Sequence, residues 1–153
     1  MRSDRQESEE SPPLRVLFLC TGNSCRSQMA EGWARHLRDH VLEPVSAGVA
    51  PSGLNPTAVR VMAEAGVDIS GHRAKGVDEV LAEAPPDVVV TVCDHAAETC
   101  PAFPGRARVV HRGFQDPVAA EGSAEEVLEV YRRVRDEIRE FVETLPEAIL
   151  EES

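Results

Sequence analysis

The stretch VLFLCTGNSCRSQMAEG, residues 16–32, runs from apolar residues to a cysteine, then through five small or polar residues to an arginine. The apolar run Leu14–Cys20 is too short for a helix core and fits a strand buried on both faces. From Cys25 to His40 the period changes. Met29, Trp33 and Leu37 fall four apart with Ala30 and Ala34 beside them, which predicts one apolar helix face. The loop between strand and helix has the form C-x5-R. Its backbone N–H groups and the helix N-terminus converge on one point, an arrangement that suits an anion. Gly22 permits a tight backbone turn and Asn23 tolerates left-handed geometry. Arg26 offers a planar fork matching two oxygens of a tetrahedral oxyanion. Cys20 would lie beneath that oxyanion, where the dipoles and Arg26 favour its thiolate. Ser27 can donate a further hydrogen bond to the sulfur. The loop therefore reads as a device that holds an oxyanion against a nucleophilic sulfur.

Working outward, 43–48 (EPVSAG) is a second short strand. The segment 55–66 has Asn at the cap, Pro at the first turn and Gly at the stop, so it reads as a helix. A shorter helix over 77–84 ends at Pro85 and Pro86. The run DVVVTVC, 87–93, repeats the first strand's pattern and again closes on a cysteine. A weaker strand covers 107–111. Ser123 to Glu126 form a capping box, after which Val127, Val130, Tyr131, Val134, Ile138, Phe141 and Leu145 mark a long amphipathic helix. Strands alternating with helices imply right-handed βαβ units and a parallel sheet. Ligands bind such sheets at the carboxyl ends of the strands. Cys20 and Cys93 both fall at such ends, so two thiols are expected on one rim.

The 153 residues suit one domain, expected over 14–150, preceded by a polar, acidic leader over 1–13 expected to be disordered. The leader has no apolar signal core, so the cytosol is the expected compartment. A net charge of −11 argues against nucleic acid and anionic membranes as partners. It does not oppose a small anion, because salt screens distant charge within roughly 10 Å. Four cysteines, Cys20, Cys25, Cys93 and Cys100, are no disulfide framework in a reducing compartment. They are buried thiols, metal ligands or redox groups. Zinc is disfavoured, since the six-residue gap between Cys93 and Cys100 is not a knuckle spacing.

The stretch FLCTGNSCRSQMAEGW resembles the signature of the low-molecular-weight tyrosine phosphatase fold, and within it the thioredoxin-coupled arsenate reductases. SAG (46–48), NP (55–56), Asp68-Ile69-Ser70 with His72, VVTVCDHAAETCP (89–101) and GFQDP (113–117) extend the likeness over roughly 14–145. The resemblance implies a three-layer α/β sandwich with a four-stranded parallel sheet flanked by helices. It implies that Cys20 attacks the oxyanion centre and that the loop Thr21, Gly22, Asn23, Ser24, Cys25, Arg26 and Ser27 binds its oxygens. Asp116 is then the general acid for the leaving oxygen, which departs badly unless a proton arrives with it.

Cys93 and Cys100 separate the reductases from the phosphatases, the alternative reading. Reduction of arsenate to arsenite needs two electrons. The resemblance implies that Cys93 attacks Cys20, expelling arsenite, and that Cys100 then attacks Cys93. Reduced thioredoxin would cleave the final bridge. Phosphate and sulfate are expected analogues of arsenate, no cofactor is expected to be bound, and the chain is read as a monomer. Seven helical steps span about 10 Å, whereas a disulfide needs Cα atoms within about 7 Å. Residues 94–99 are therefore expected to unwind on oxidation. Cys25 has no required step and reads as packing or as an off-pathway disulfide partner. Relatives hold potassium near the loop. The matching positions here are Asn23, Glu31, Ser46 and Lys75, and Lys75 replaces an aspartate. Its ammonium is expected to stand in for the ion, paired with Glu31 and Asp68.

Overall fold

A computed structural model describes residues 12–93 and 107–151. Its chain order is β1 (Leu14–Cys20), α1 (Arg26–Arg38), β2 (Leu42–Gly48), α2 (Pro56–Glu64), α3 (Val77–Glu83), β3 (Val88–Thr91), β4 (Arg108–His111), a 3-10 turn (Pro117–Ala119), α4 (Ala124–Glu143) and α5 (Glu147–Glu151). The four strands form one parallel sheet in the order β2-β1-β3-β4. No helix among the described residues is long and apolar enough to cross a membrane.

β1 and β3 are the two inner strands, each with neighbours on both sides, which is why continuous apolar runs suit them. Val16 through Leu19 are fully buried. The register sets Cys20 opposite Gly48 and Phe18 between Ser46 and Val90. The connection from β1 runs to β2 on one side, and that from β3 runs to β4 on the other. The sheet therefore reverses direction between β1 and β3, and such a switch point opens a crevice at the strand ends.

β3 is shorter than its apolar run. It ends at Thr91, although the Val92 N–H still donates to Leu19 O at 2.9 Å and Val92 O accepts from Phe114 N at 3.1 Å. Cys93 thus sits just beyond the last paired residue, inside the crevice mouth rather than on the strand.

The predicted face of α1 is buried at Met29, Ala30, Trp33 and Ala34, and the burial also takes in Ser27, Gln28, Glu31 and Gly32. α4 keeps its capping box, with Ser123 Oγ accepting from Glu126 N at 3.1 Å and Glu126 Oε1 accepting from Ser123 N at 2.8 Å. Its buried stripe is Leu128, Tyr131, Val134, Ile138 and Val142; the predicted Val127, Val130 and Phe141 pack partly buried against the same core, and Leu145, just past the helix, is buried. Trp33 Nε1–H donates to Arg135 O at 3.2 Å and ties α1 to α4. α5 was not anticipated. It closes the chain with buried Ile149, and Arg108 donates to its Leu150 carbonyl at 2.6 Å.

The expected leader up to residue 11, Cys100 and the 94–99 segment lie outside the described residues.

Candidate active site

Cys20 is the last residue of β1, and α1 begins at Arg26 with Cys25 as its N-cap. The Cys25 side chain makes no capping bond, so the first N–H groups of α1 stay open. The carbonyls of the loop are all turned outward. Cys20, Thr21, Gly22 and Ser24 O accept from Val49, Ala50, Ser52 and Asn55 N at 3.1, 2.8, 3.0 and 2.9 Å. Asn23 O accepts from Gln28 Nε2 at 3.1 Å, and Cys25 O from Met29 N at 2.9 Å. Among the described residues no acceptor faces the N–H groups of Thr21 to Arg26. Turning the carbonyls out turns these donors in, which makes the anion cradle.

Two features hold the turn. Asn23 has φ 51, the left-handed region, and is fully buried. Gly48 backs onto the loop so closely that a Cβ there would stand 2.7 Å from Thr21 O and 2.8 Å from Asn23 N. Sequence reasoning passed over Gly48 as a functional position. Its signal was present in the SAG triplet, but the close approach depends on the β1–β2 register.

The sulfur of Cys20 lies 2.8 Å from Ser27 Oγ, which also accepts from Asn23 Nδ2 at 2.9 Å. Arg26 reaches across the loop. Its Nη1 donates to Phe114 O at 2.9 Å, and Nη2 lies 3.6 Å from Asp116 Oδ2. Asp116 caps the 3-10 turn, its Oδ1 accepting from Val118 N at 3.0 Å, so its other oxygen is left toward the cleft. A cleft of about 250 Å³ lies over the loop, lined by Cys20, Arg26, Ala50, Ser52, Asp116 and Val118 among others. A second cleft shares Thr21, Arg26 and Asp116 with it and adds Cys93 and Phe114. Cys93 is buried, and its sulfur lies 3.4 Å from Thr21 Oγ1.

Cys20 and Cys25 are free thiols. Burial pushes the Cys25 thiol up to about 12, outweighing the attraction of Arg26, so Cys25 stays protonated at neutral pH. His72 is held below its ordinary value, chiefly by burial.

The suggested cation remnant is assembled in part. Glu31 is buried, and it accepts from Ser46 Oγ at 2.6 Å and pairs with Arg35 Nη2 at 2.7 Å. Lys75 Nζ lies 3.7 Å from Glu31 Oε1. Asp68 instead turns to its own loop, where Ser70 N and Oγ donate to it at 2.9 and 2.6 Å. Asn23 Oδ1 is taken by Lys75 N at 2.9 Å and Gln28 Nε2 at 3.1 Å. With an ammonium beside Glu31 and Asn23 Oδ1 already bonded, the donor set does not fit potassium. Among the described residues no group of three or more His, Cys, Asp or Glu is placed to hold a metal.

Sequence reasoning missed Gln28, and read Asn55 only as a helix cap. Gln28 is a fully buried amide beside the loop, and Asn55 joins Ser24 O to the α2 cap and to Tyr131 OH. A polar residue inside the buried face of α1 was the available signal for Gln28.

A parallel α/β sheet with a cysteine and an arginine flanking a cradle of backbone donors, at its switch point, is an arrangement suited to holding an oxyanion against a thiol. The chain belongs to the low molecular weight phosphotyrosine protein phosphatase family, whose model matches residues 15–153. It is 49% identical over 132 residues to the arsenate reductase of Halalkalibacterium halodurans, covering 86% of this chain and 94% of that protein. Among solved structures it resembles an arsenate reductase in the phosphate binding state, with TM-score 0.67 and 34% identity over 89% of this chain and 98% of that one. It also resembles the thioredoxin-dependent arsenate reductase of Corynebacterium glutamicum, with TM-score 0.65 and 26% identity over 94% of this chain and 67% of that one.

Proposed function

We propose that the protein reduces arsenate to arsenite through a three-cysteine relay recharged by thioredoxin. The observation that carries this reading is a second thiol on the rim of the anion cradle: Cys93, held 3.4 Å from the Thr21 hydroxyl beside Cys20. A phosphatase has no use for it, since water completes that reaction.

Arsenate enters the cradle with its oxygens on the loop N–H groups and Arg26. The Cys20 thiolate attacks arsenic, forming an S–As bond, and hydroxide leaves with a proton from Asp116. The Cys93 thiolate attacks the Cys20 sulfur. The S–As bonding pair passes to arsenic, which departs as arsenite reduced by two electrons, and Cys20–Cys93 is left as a disulfide. Cys100 attacks Cys93, freeing Cys20. A dithiol such as thioredoxin reduces Cys93–Cys100 and restores the chain. The relatives named as arsenate reductases, one of them thioredoxin-dependent, support this assignment. Lys75 serves as the cation beside Glu31 in place of a potassium ion. After Asp116-Pro117 the cleft is lined by Val118 rather than by an aromatic ring that could hold a phenol, which disfavours aryl phosphate esters as substrates.

The test is arsenite production with thioredoxin, thioredoxin reductase and NADPH. Cys20→Ser is expected to abolish it, and Cys93→Ser and Cys100→Ser to remove multiple turnover. Full turnover in both downstream variants would sink the relay, and hydrolysis of aryl phosphates outpacing arsenate reduction would favour the phosphatase.

A further inference from the structure

Gln28 is fully buried, and both of its amide ends are bonded. Its Nε2 lies 2.9 Å from Arg73 O, 3.1 Å from Asn23 O and 3.1 Å from Asn23 Oδ1, while Oε1 lies 2.9 Å from His72 Nδ1. Two of these neighbours are main-chain carbonyls, which can only accept. The nitrogen of Gln28 must therefore face them, and its oxygen must face the histidine, whose Nδ1 carries the hydrogen.

We propose that Gln28 is a positioning residue that, together with the main-chain N–H of Lys75, sets the direction of the hydrogen-bond chain ending on the Cys20 sulfur. Each link leaves one choice for the next. Gln28 Nε2 donates to Asn23 Oδ1, and Lys75 N donates to the same oxygen at 2.9 Å. The amide of Asn23 is thereby oriented with Nδ2 toward Ser27 Oγ, 2.9 Å away. Ser27 accepts that hydrogen, which frees its own hydroxyl hydrogen for Cys20 Sγ at 2.8 Å. A hydroxyl aimed this way stabilises a thiolate. One aimed the other way does not. Gln28 also grips Asn23 by its backbone oxygen, and so holds the φ 51 turn that points the loop N–H groups inward. Asn23, Ser27 and Gln28 have no exposed surface and Cys20 has 3%, so water has no room to replace a missing donor.

The proposal rests on reading Cys20 as the nucleophile, and the test separates the two because alkylation needs no arsenate. Gln28→Met keeps the side chain's length and removes its donors. At pH 7 iodoacetamide should modify Cys20 about fivefold more slowly in this variant, the worth of about one ordinary net hydrogen bond. The pH profile of modification should also move upward. Gln28→Glu supplies the second arm. As a carboxylate it faces three oxygens and repels them, whereas protonated it regains one donor. The ratio of its Cys20 alkylation rate to that of the wild type should rise as pH falls from 8 to 5.5. Arg26, Asp116, Cys25 and Cys93 around the sulfur are common to both proteins and cancel in that ratio. The charged groups around His72 are Glu31, Arg35, Lys75 and Asp68. Because His72 bonds position 28 directly and titrates in the same range, both rates are measured in a His72→Asn background, which removes its own titration from the ratio. A folded Gln28→Met protein with the wild-type profile would overturn the proposal. If that variant does not fold, a flat ratio for Gln28→Glu would do the same. A Gln28-dependent thiol in a protein that does not reduce arsenate would leave this inference standing and sink only the function.

Discussion

The α-carbon of Gly48 lies against the carbonyl of Thr21, so near that a methyl group on it would stand 2.7 Å from that oxygen. The obstacle is main chain and cannot rotate aside. The anion cradle is thus pressed onto β2 as well as strung between β1 and α1, and its shape depends on a residue that touches no substrate. Gly48→Ala is expected to cost about 1–3 kcal/mol of stability. Chemical denaturation gives that number. Phosphate titration should show a larger proportional loss of affinity than a stability-matched core variant. Affinity equal to wild type would mean the loop does not need this contact.

Asp116 performs two tasks with different oxygens. Oδ1 caps the 3-10 turn through Val118 N, and Oδ2 faces Arg26. Asp116→Asn keeps an oxygen for the cap and loses the transferable proton. The rate of the arsenate-dependent step should fall by roughly 10²–10⁴, while KM stays within a few-fold. Stopped-flow measurement of the first thiol-consuming step checks this. A comparable fall in Tm would point to the cap instead.

Cys25 neighbours the nucleophile in sequence and space, yet burial holds its thiol near 12. At pH 7–9 it is almost wholly protonated and should resist alkylation. Peptide mapping after brief iodoacetamide treatment should find label on Cys20 well before Cys25, with the difference erased in denaturant. Cys25→Ala should retain turnover. Early labelling of Cys25 in the native protein would contradict the burial seen here.

The ammonium of Lys75 beside Glu31 leaves a monovalent cation little to add. Steady-state arsenate reduction should be the same in KCl and NaCl at equal ionic strength. Lys75→Ala should raise KM, and potassium should restore part of the loss. A several-fold activation of the unmodified protein by potassium alone would refute the substitution.

His72 is half-buried and held below its ordinary value by burial, with Glu31 pulling the other way. The unfolded chain therefore binds a proton that the folded one resists. Its contribution to stability is present above about pH 6.5 and is lost as pH falls toward the lower folded value. Wild type should lose more stability between pH 7.5 and 5.5 than His72→Asn does. Urea midpoints at the two pH values measure the difference, and equal losses would count against it.

Reading the chain in order was enough wherever the decisive residues are close together. Cys20, Gly22, Asn23, Arg26 and Ser27 lie within one turn of strand and helix, so backbone chemistry alone brings them to one point. Apolar runs and helical spacing located β1, α1 and α4 because one-dimensional period maps directly onto burial. α5 was not legible, since five residues are too few to show a period.

Which distant groups meet was decided only by the sheet. Its register seats Gly48 beneath the loop, stops β3 at Thr91 so that Cys93 hangs in the crevice, and brings Arg73 and His72 to Gln28 from more than forty residues away. The physical reason is that such contacts follow from strand pairing and chain crossover, which couple positions with no fixed interval in the sequence.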